Sequence, residues 1–138
     1  AAPHAKEILQ KLTEQGIPCF VFTHRGKTTI PILKRLQLYE HFTEIITREE
    51  RFARKPAPDA NLYLMDKYQL NPACTYFVGD RQLDMECAEQ AGIKKILYVP
   101  EQNAAEPSGR EEYVIRDFLQ ILQVVSGGEE NEEWQNFV

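Results

Sequence analysis

No apolar run in this sequence approaches the length of a membrane span, which is about 20 residues. The opening Ala1-Ala2-Pro3-His4 also lacks the basic-then-apolar profile of a secretory signal. With neither feature, the cytoplasm is the expected compartment and a membrane is not an expected partner. Cysteine is scarce: Cys19, Cys74 and Cys87 are odd in number and show no CxxC spacing. That argues against a disulfide framework or a zinc site and for buried thiols in a reducing compartment. Positive charge is in deficit, with 16 Lys and Arg against 21 Asp and Glu, so the formal net charge is −5. Such a chain has no basic footprint for nucleic acid, and an anionic ligand has to be drawn by a local site. An initiator methionine is also missing, from which upstream sequence or processing is expected. What remains, 138 residues with 43% hydrophobic and 27% charged positions, is ordinary for one domain with one buried core.

Apolar patterning alternates between two periods. Ile8, Leu9 and Leu12 before Gly16 predict an amphipathic helix over about residues 3–15, closed by a glycine cap. Cys19-Phe20-Val21-Phe22 is a short continuous apolar run, as in strands covered on both faces. Ile30, Leu33, Leu36 and Leu38 predict a helix from Thr29 to Leu38, with Pro31 tolerable only in its first turn. Glu44–Thr47 reads as a second strand, Leu62–Tyr68 as a helix, Thr75–Val78 as a third strand, 83–91 as a helix stopped at Gly92, and Lys95–Val99 as a fourth strand. Ala104–Gly109 reads as a loop, Tyr113–Val125 as a final amphipathic helix, and the residues after it as an acidic tail. The expected organisation is one core over 1–125 and a tail over 126–138, solvated or docked on a partner through Trp134 and Phe137. Strict alternation of strand and helix predicts a doubly wound parallel α/β sheet, whose ligands bind at the carboxyl ends of the strands.

The chemically interesting residues fall at those ends. Thr23 closes the first strand, where a hydroxyl and the following N–H groups can bind a phosphate oxygen; alone, such a threonine is more often a turn or cap residue. Lys55 lies in a proline-flanked loop and can offset phosphoryl charge, although an isolated lysine there also reads as solvated surface. In Gly79-Asp80-Arg81-Gln82-Leu83-Asp84 the two acids lie one helical turn apart and can face one point. Converging carboxylates repel without a cation, and hard oxygen ligands suit Mg²⁺; the same pair also reads as a helix cap and a first-turn acid.

Taken together, the order strand–Thr23, Lys55-Pro56, strand–Gly79-Asp80-x-x-x-Asp84 resembles the second, third and fourth motifs of the haloacid dehalogenase (HAD) superfamily. The resemblance runs from Pro3 to Pro100, includes Arg54-Lys55-Pro56-Ala57-Pro58 and Ala88-Glu89-Gln90-Ala91-Gly92, and is nearest the phosphoglycolate-phosphatase-like branch. It implies that Thr23 binds the transferring phosphoryl group, Lys55 stabilises the phosphoryl and the nucleophile, Asp80 ligates Mg²⁺, and Asp84 assists through the metal or its water. His24 and Arg25 become candidates for the substrate pocket. Phospho-receiver domains use a similar kit but place the acids first and Lys-Pro last, the reverse of the order here.

One HAD element is missing. Members open with a strand ending in Asp-x-Asp, whose first carboxylate attacks phosphorus and whose second is the general acid and base; no Asp-x-Asp occurs in this chain. In the family that strand is central, between those that here end at Thr23 and Asp80. The expectation is therefore a parallel α/β sheet incomplete at its N-terminal central strand. The nucleophile is expected upstream of Ala1, and the 138 residues alone are expected to be inactive. The activity implied is Mg²⁺-dependent hydrolysis of a small phosphorylated metabolite through an aspartyl-phosphate. The alternative is a non-catalytic HAD-like remnant serving as an interaction module. For the missing strand's place, three outcomes are open: a strand from outside the numbered chain, a strand from another chain, or direct pairing of the two flanking strands.

Overall fold

A computed structural model describes residues 4–50, 52, 55, 57–100, 107–127 and 136–137. Five helices alternate with strands: α1 (Ala5–Glu14), β1 (Phe20–Phe22), α2 (Thr29–Arg35), β2 (Glu44–Ile46), α3 (Asp59–Lys67), β3 (Thr75–Gly79), α4 (Gln82–Ala91), β4 (Lys94–Tyr98), β5 (Tyr113–Ile115), α5 (Ile121–Gly127) and β6 (Asn136–Phe137). Every strand pairing among the described residues is parallel, as the alternation predicts. The strands do not form one sheet, however. β1 and β2 pair in a two-stranded sheet, and a second sheet has the order β5-β4-β3-β6.

Neighbouring residues of β3 show how two layers of helix are held. Tyr76 is buried with Ile8 and Leu12 of α1 and with Ile121 and Val124 of α5. Phe77, pointing the other way by the two-residue period of a strand, is buried with Cys87, Ala88 and Ala91 of α4. Phe20 and Ile46 of the smaller sheet pack with Ala60 and Leu64 of α3. α1 ends as read from the sequence: Gly16 takes φ 76°, and the Ile17 N–H returns to the Leu12 carbonyl. Pro31 is the third residue of α2, where its missing N–H leaves no helical bond unmade.

Three stretches differ from expectation. α2 stops at Arg35, three residues early, because the Leu38 N–H turns back to the Leu33 carbonyl with Gln37 at φ 62°. The segment Tyr113–Val125 is not one helix: Tyr113–Ile115 is strand β5, residues 118–120 form a 3₁₀ turn, and only then does α5 begin. Tyr-Val-Ile is aromatic and β-branched, and the open edge of β4 offers it a ladder from Ile96 to Tyr98; that pairing outweighs the helical spacing. The third difference lies in the stretch read as a tail, where Asn136–Phe137 forms β6 and pairs with Thr75 and Tyr76 of β3. The two strands flanking the expected gap therefore do not pair with each other, and β6 lies between them, in contact with β1 as well.

Candidate active site

β3 ends at Gly79 and α4 begins at Gln82, so Asp80 and Arg81 form a two-residue link from strand to helix. Asp80 is exposed there, and its carboxylate takes no hydrogen bond from the described residues. Asp84 is the third residue of α4 and is buried at 4% exposure. Its Oδ2 accepts the Arg81 N–H at 3.2 Å, satisfying an amide that the first helical turn leaves open, and its charge suits the helix N-terminus. Gly79 makes this approach possible: a Cβ there would stand 2.3 Å from the Asp84 Cβ, so no side chain fits.

Lys55 reaches the same point from the loop after β2. Its ammonium donates to Asp84 Oδ1 at 2.6 Å and lies 3.4 Å from the Phe22 carbonyl. It also stands over two rings, Phe22 at 4.8 Å and Phe77 at 5.1 Å from their centroids. Both charged side chains are almost fully enclosed, at 7% exposure for Lys55 and 5% for Asp84. A desolvated pair of this kind persists only with close geometry and further partners, and here the carbonyl, the rings and the helix amide supply them. Phe22, Lys55, Phe77, Gly79, Asp80 and Asp84 line one cavity of about 360 Å³, with Tyr98 and Phe118 stacked 4.2 Å apart at its side.

Thr23 follows Phe22 directly. Its N–H donates to the Ile46 carbonyl at 3.0 Å, extending the β1–β2 ladder, and its hydroxyl oxygen accepts the Arg25 N–H at 3.1 Å. His24 packs edge-on to Phe22 with centroids 6.0 Å apart. Arg25 is exposed, and its carbonyl receives the Arg48 N–H, tying the loop after β1 to the loop after β2. Lys55, Asp80 and Asp84 thus share one cavity, Thr23 adjoins it through Phe22, and His24 and Arg25 lie on the same loop further out. Sequence reading passed over Phe22 and Phe77, which look like plain core positions until the lysine is seen between them. Gly79 before an acid at a strand end was the available signal for close packing.

Among the described residues, no group of three or more His, Cys, Asp and Glu converges as a metal cage. The donor set still fits a hard cation that retains water: one exposed carboxylate, Asp80, beside one buried carboxylate, Asp84. No helix of the described residues is long and apolar enough to cross a membrane.

Known proteins with the same pattern share this arrangement of strands and helices. A phosphoglycolate phosphatase of Mannheimia succiniciproducens is 30% identical over 126 residues, covering 89% of this chain and 56% of the relative. One from Pectobacterium atrosepticum is 31% identical over 124 residues, 87% of this chain and 53% of the relative. The chain therefore spans little more than half the length of these curated relatives. The NMR structure of the core domain of a candidate phosphoglycolate phosphatase from Streptococcus pneumoniae superposes with TM-score 0.76 at 39% identity, covering 90% of this chain and 86% of that one. A HAD phosphatase from Thermococcus onnurineus has the same fold, with TM-score 0.84 at 23% identity over 92% of this chain and 59% of that one. The profile described as haloacid dehalogenase-like hydrolase matches residues 1–98, from α1 through Thr23, Lys55, Asp80 and Asp84 to the end of β4, and the chain belongs to that family.

Proposed function

We propose that this chain is the phosphate-handling part of a Mg²⁺-dependent phosphomonoesterase, which hydrolyses a small phosphorylated metabolite to its alcohol and inorganic phosphate. The observation that carries this reading is a buried ammonium, Lys55, fixed at the carboxyl ends of parallel strands, at the Phe22 carbonyl that precedes Thr23, and lining one cavity with the exposed Asp80. Lys55 is held from behind by Asp84 and from below by the Phe22 carbonyl, so it can face a phosphoryl oxygen without losing its position. The Thr23 hydroxyl, already accepting one N–H, keeps its own proton to donate to a phosphate oxygen. Asp80, with Asp84 behind it, would hold Mg²⁺, which when bound supplies positive charge against the phosphate and its leaving oxygen. The covalent acceptor is proposed to be an aspartate outside this sequence, on a strand that enters between β1 and β3 and forms the aspartyl-phosphate. His24 and Arg25, on the loop that follows β1, are the proposed contacts to the rest of the substrate. The relatives' names make 2-phosphoglycolate the first substrate to assay, and three buried cysteines outside any disulfide fit a reducing cytoplasm.

The test is phosphate release from 2-phosphoglycolate and from a generic phosphomonoester by the protein carrying its preceding segment. Asp80→Asn should lower turnover about 100-fold or more and weaken the dependence on Mg²⁺. Unchanged turnover with unchanged Mg²⁺ dependence would remove Asp80 from the site. Enzymatic turnover by residues 1–138 alone would place the nucleophile elsewhere than proposed.

A further inference from the structure

We propose that the C-terminal strand is an exchangeable plug: β6 occupies a slot between the two sheets that accepts one parallel strand at a time, so β6 and any other strand entering there exclude each other. The slot has two walls. β3 is paired with β4 along one edge, and its other edge carries β6 only at Thr75 and Tyr76, leaving Phe77 to Gly79 without a β6 partner. β1 is paired with β2 on one side and turns its other side toward β6. An apolar cavity of about 390 Å³ touches both walls, through Phe20, Val21 and Phe22 of β1 and Val78 of β3, and is otherwise lined by α1, the segment after α2, Phe118 and the start of α5.

Strand spacing decides how many occupants fit. Paired strands stand about 4.8 Å apart, so two strands flanking a single one are about 10 Å apart, with no room for a second between them. β6 is bonded to that edge of β3 at Thr75 and Tyr76 and lies near β1 without a ladder to it, and a second strand cannot pair with the same two edge residues while β6 holds them. It fills only the amino-terminal end of the slot, through two residues, whereas a strand running the length of β3 would pair from Thr75 to Gly79. A longer parallel strand therefore gains ladder bonds and covers the apolar cavity that β6 leaves open, and it cannot enter until β6 leaves. If the slot is also the seat of the nucleophile-bearing strand, the plug is autoinhibitory; that consequence alone rests on the functional reading above.

Amide exchange and a peptide test this directly. Three proteins are compared: the full chain, a chain ending at Gly127, and the full-length double variant Asn136→Pro/Phe137→Pro, which lacks both strand N–H groups. Exchange over Thr75–Phe77 should be at least tenfold faster in both altered proteins, while the β4–β5 ladder keeps its rates. A synthetic peptide of residues 131–138 should then bind the two altered proteins, restore their slow exchange, and fail to bind the full chain. Equal exchange in all three, or equal peptide binding by all three, overturns the plug. Complete unfolding of both altered proteins overturns it as well, since β6 would then be integral and not exchangeable. None of these readouts uses turnover. A longer enzyme without phosphatase activity would refute the functional reading alone, and unchanged exchange beside intact activity would refute the plug alone.

Discussion

Replacing Asp84 by asparagine removes the charge facing the Lys55 ammonium at 2.6 Å while keeping the size of the side chain. With both groups at 7% exposure or less, the variant leaves a cation in a place that water barely reaches. Breaking a buried pair from one side costs roughly 3–5 kcal/mol. The Phe22 carbonyl and the two rings remain beside the ammonium, and the new amide oxygen can still accept from it, which favours the low end, about 3 kcal/mol. At roughly 3–4 °C per kcal/mol for a chain of this size, Tm should fall by about 9–12 °C. Lys55→Met should cost a similar amount by stranding the carboxylate. The double variant should cost clearly less than the sum, with a coupling of about 2 kcal/mol or more. Thermal and urea melts followed by circular dichroism measure all three. An Asp84→Asn cost below about 1 kcal/mol, or strictly additive single costs, would show that the pair is not the enclosed contact described.

Three further outcomes follow from neighbouring features. Burial alone would raise the Glu111 pKa, but hydrogen bonds from Gln82 and Ser108 outweigh it and lower it from 4.5 to about 2. Its folded-state value is depressed, so its stabilising contribution is full above about 4.5 and lost as pH falls toward 2; Glu111→Gln should flatten the pH dependence of urea midpoints in that window, and an unchanged slope would refute this. Burial pushes the Cys87 thiol up to about 11, and all three cysteines are buried, so iodoacetamide at pH 8 should label the unfolded chain and spare the folded one. Gly79→Ala, whose Cβ would meet the Asp84 Cβ at 2.3 Å, should destabilise by about 1–3 kcal/mol, and that loss should shrink in an Asp84→Gly background, which removes the Cβ it meets; the same loss in both would dismiss the clash as its cause.

Much of the frame was readable because strands and helices of this sheet bury different periodicities. Phe20–Phe22, Glu44–Ile46, Thr75–Gly79 and Lys94–Tyr98 lie where apolar runs placed them, and Gly16 and Gly92 stop their helices at φ 76°. Lys55 and Asp84, separated by 28 intervening residues, were brought together only by motif order; no local pattern encodes a contact made through α3 and β3. Tyr113–Ile115 misled because its spacing suits a helix, whereas its fate depends on an open edge of β4 that the local sequence does not reveal. Glu44 is another case. Burial alone would raise its pKa, but Lys67, Tyr68 and Tyr63 all donate to it from α3 and its cap, hold the carboxylate below its ordinary value, and pin that helix to β2. A strand-end glutamate gives no sign of such a knot.

Lys55 touches both halves of the split sheet at once, through the Phe22 ring and carbonyl on β1 and the Phe77 ring on β3. No ladder joins those two strands. The ammonium is thus a gauge of their separation: a shift of β1 relative to β3 draws one ring away from the cation and changes its alignment with Asp84. Whatever strand sets the width between the sheets also sets where that positive charge points, so filling the interior and aiming the cation are one mechanical event.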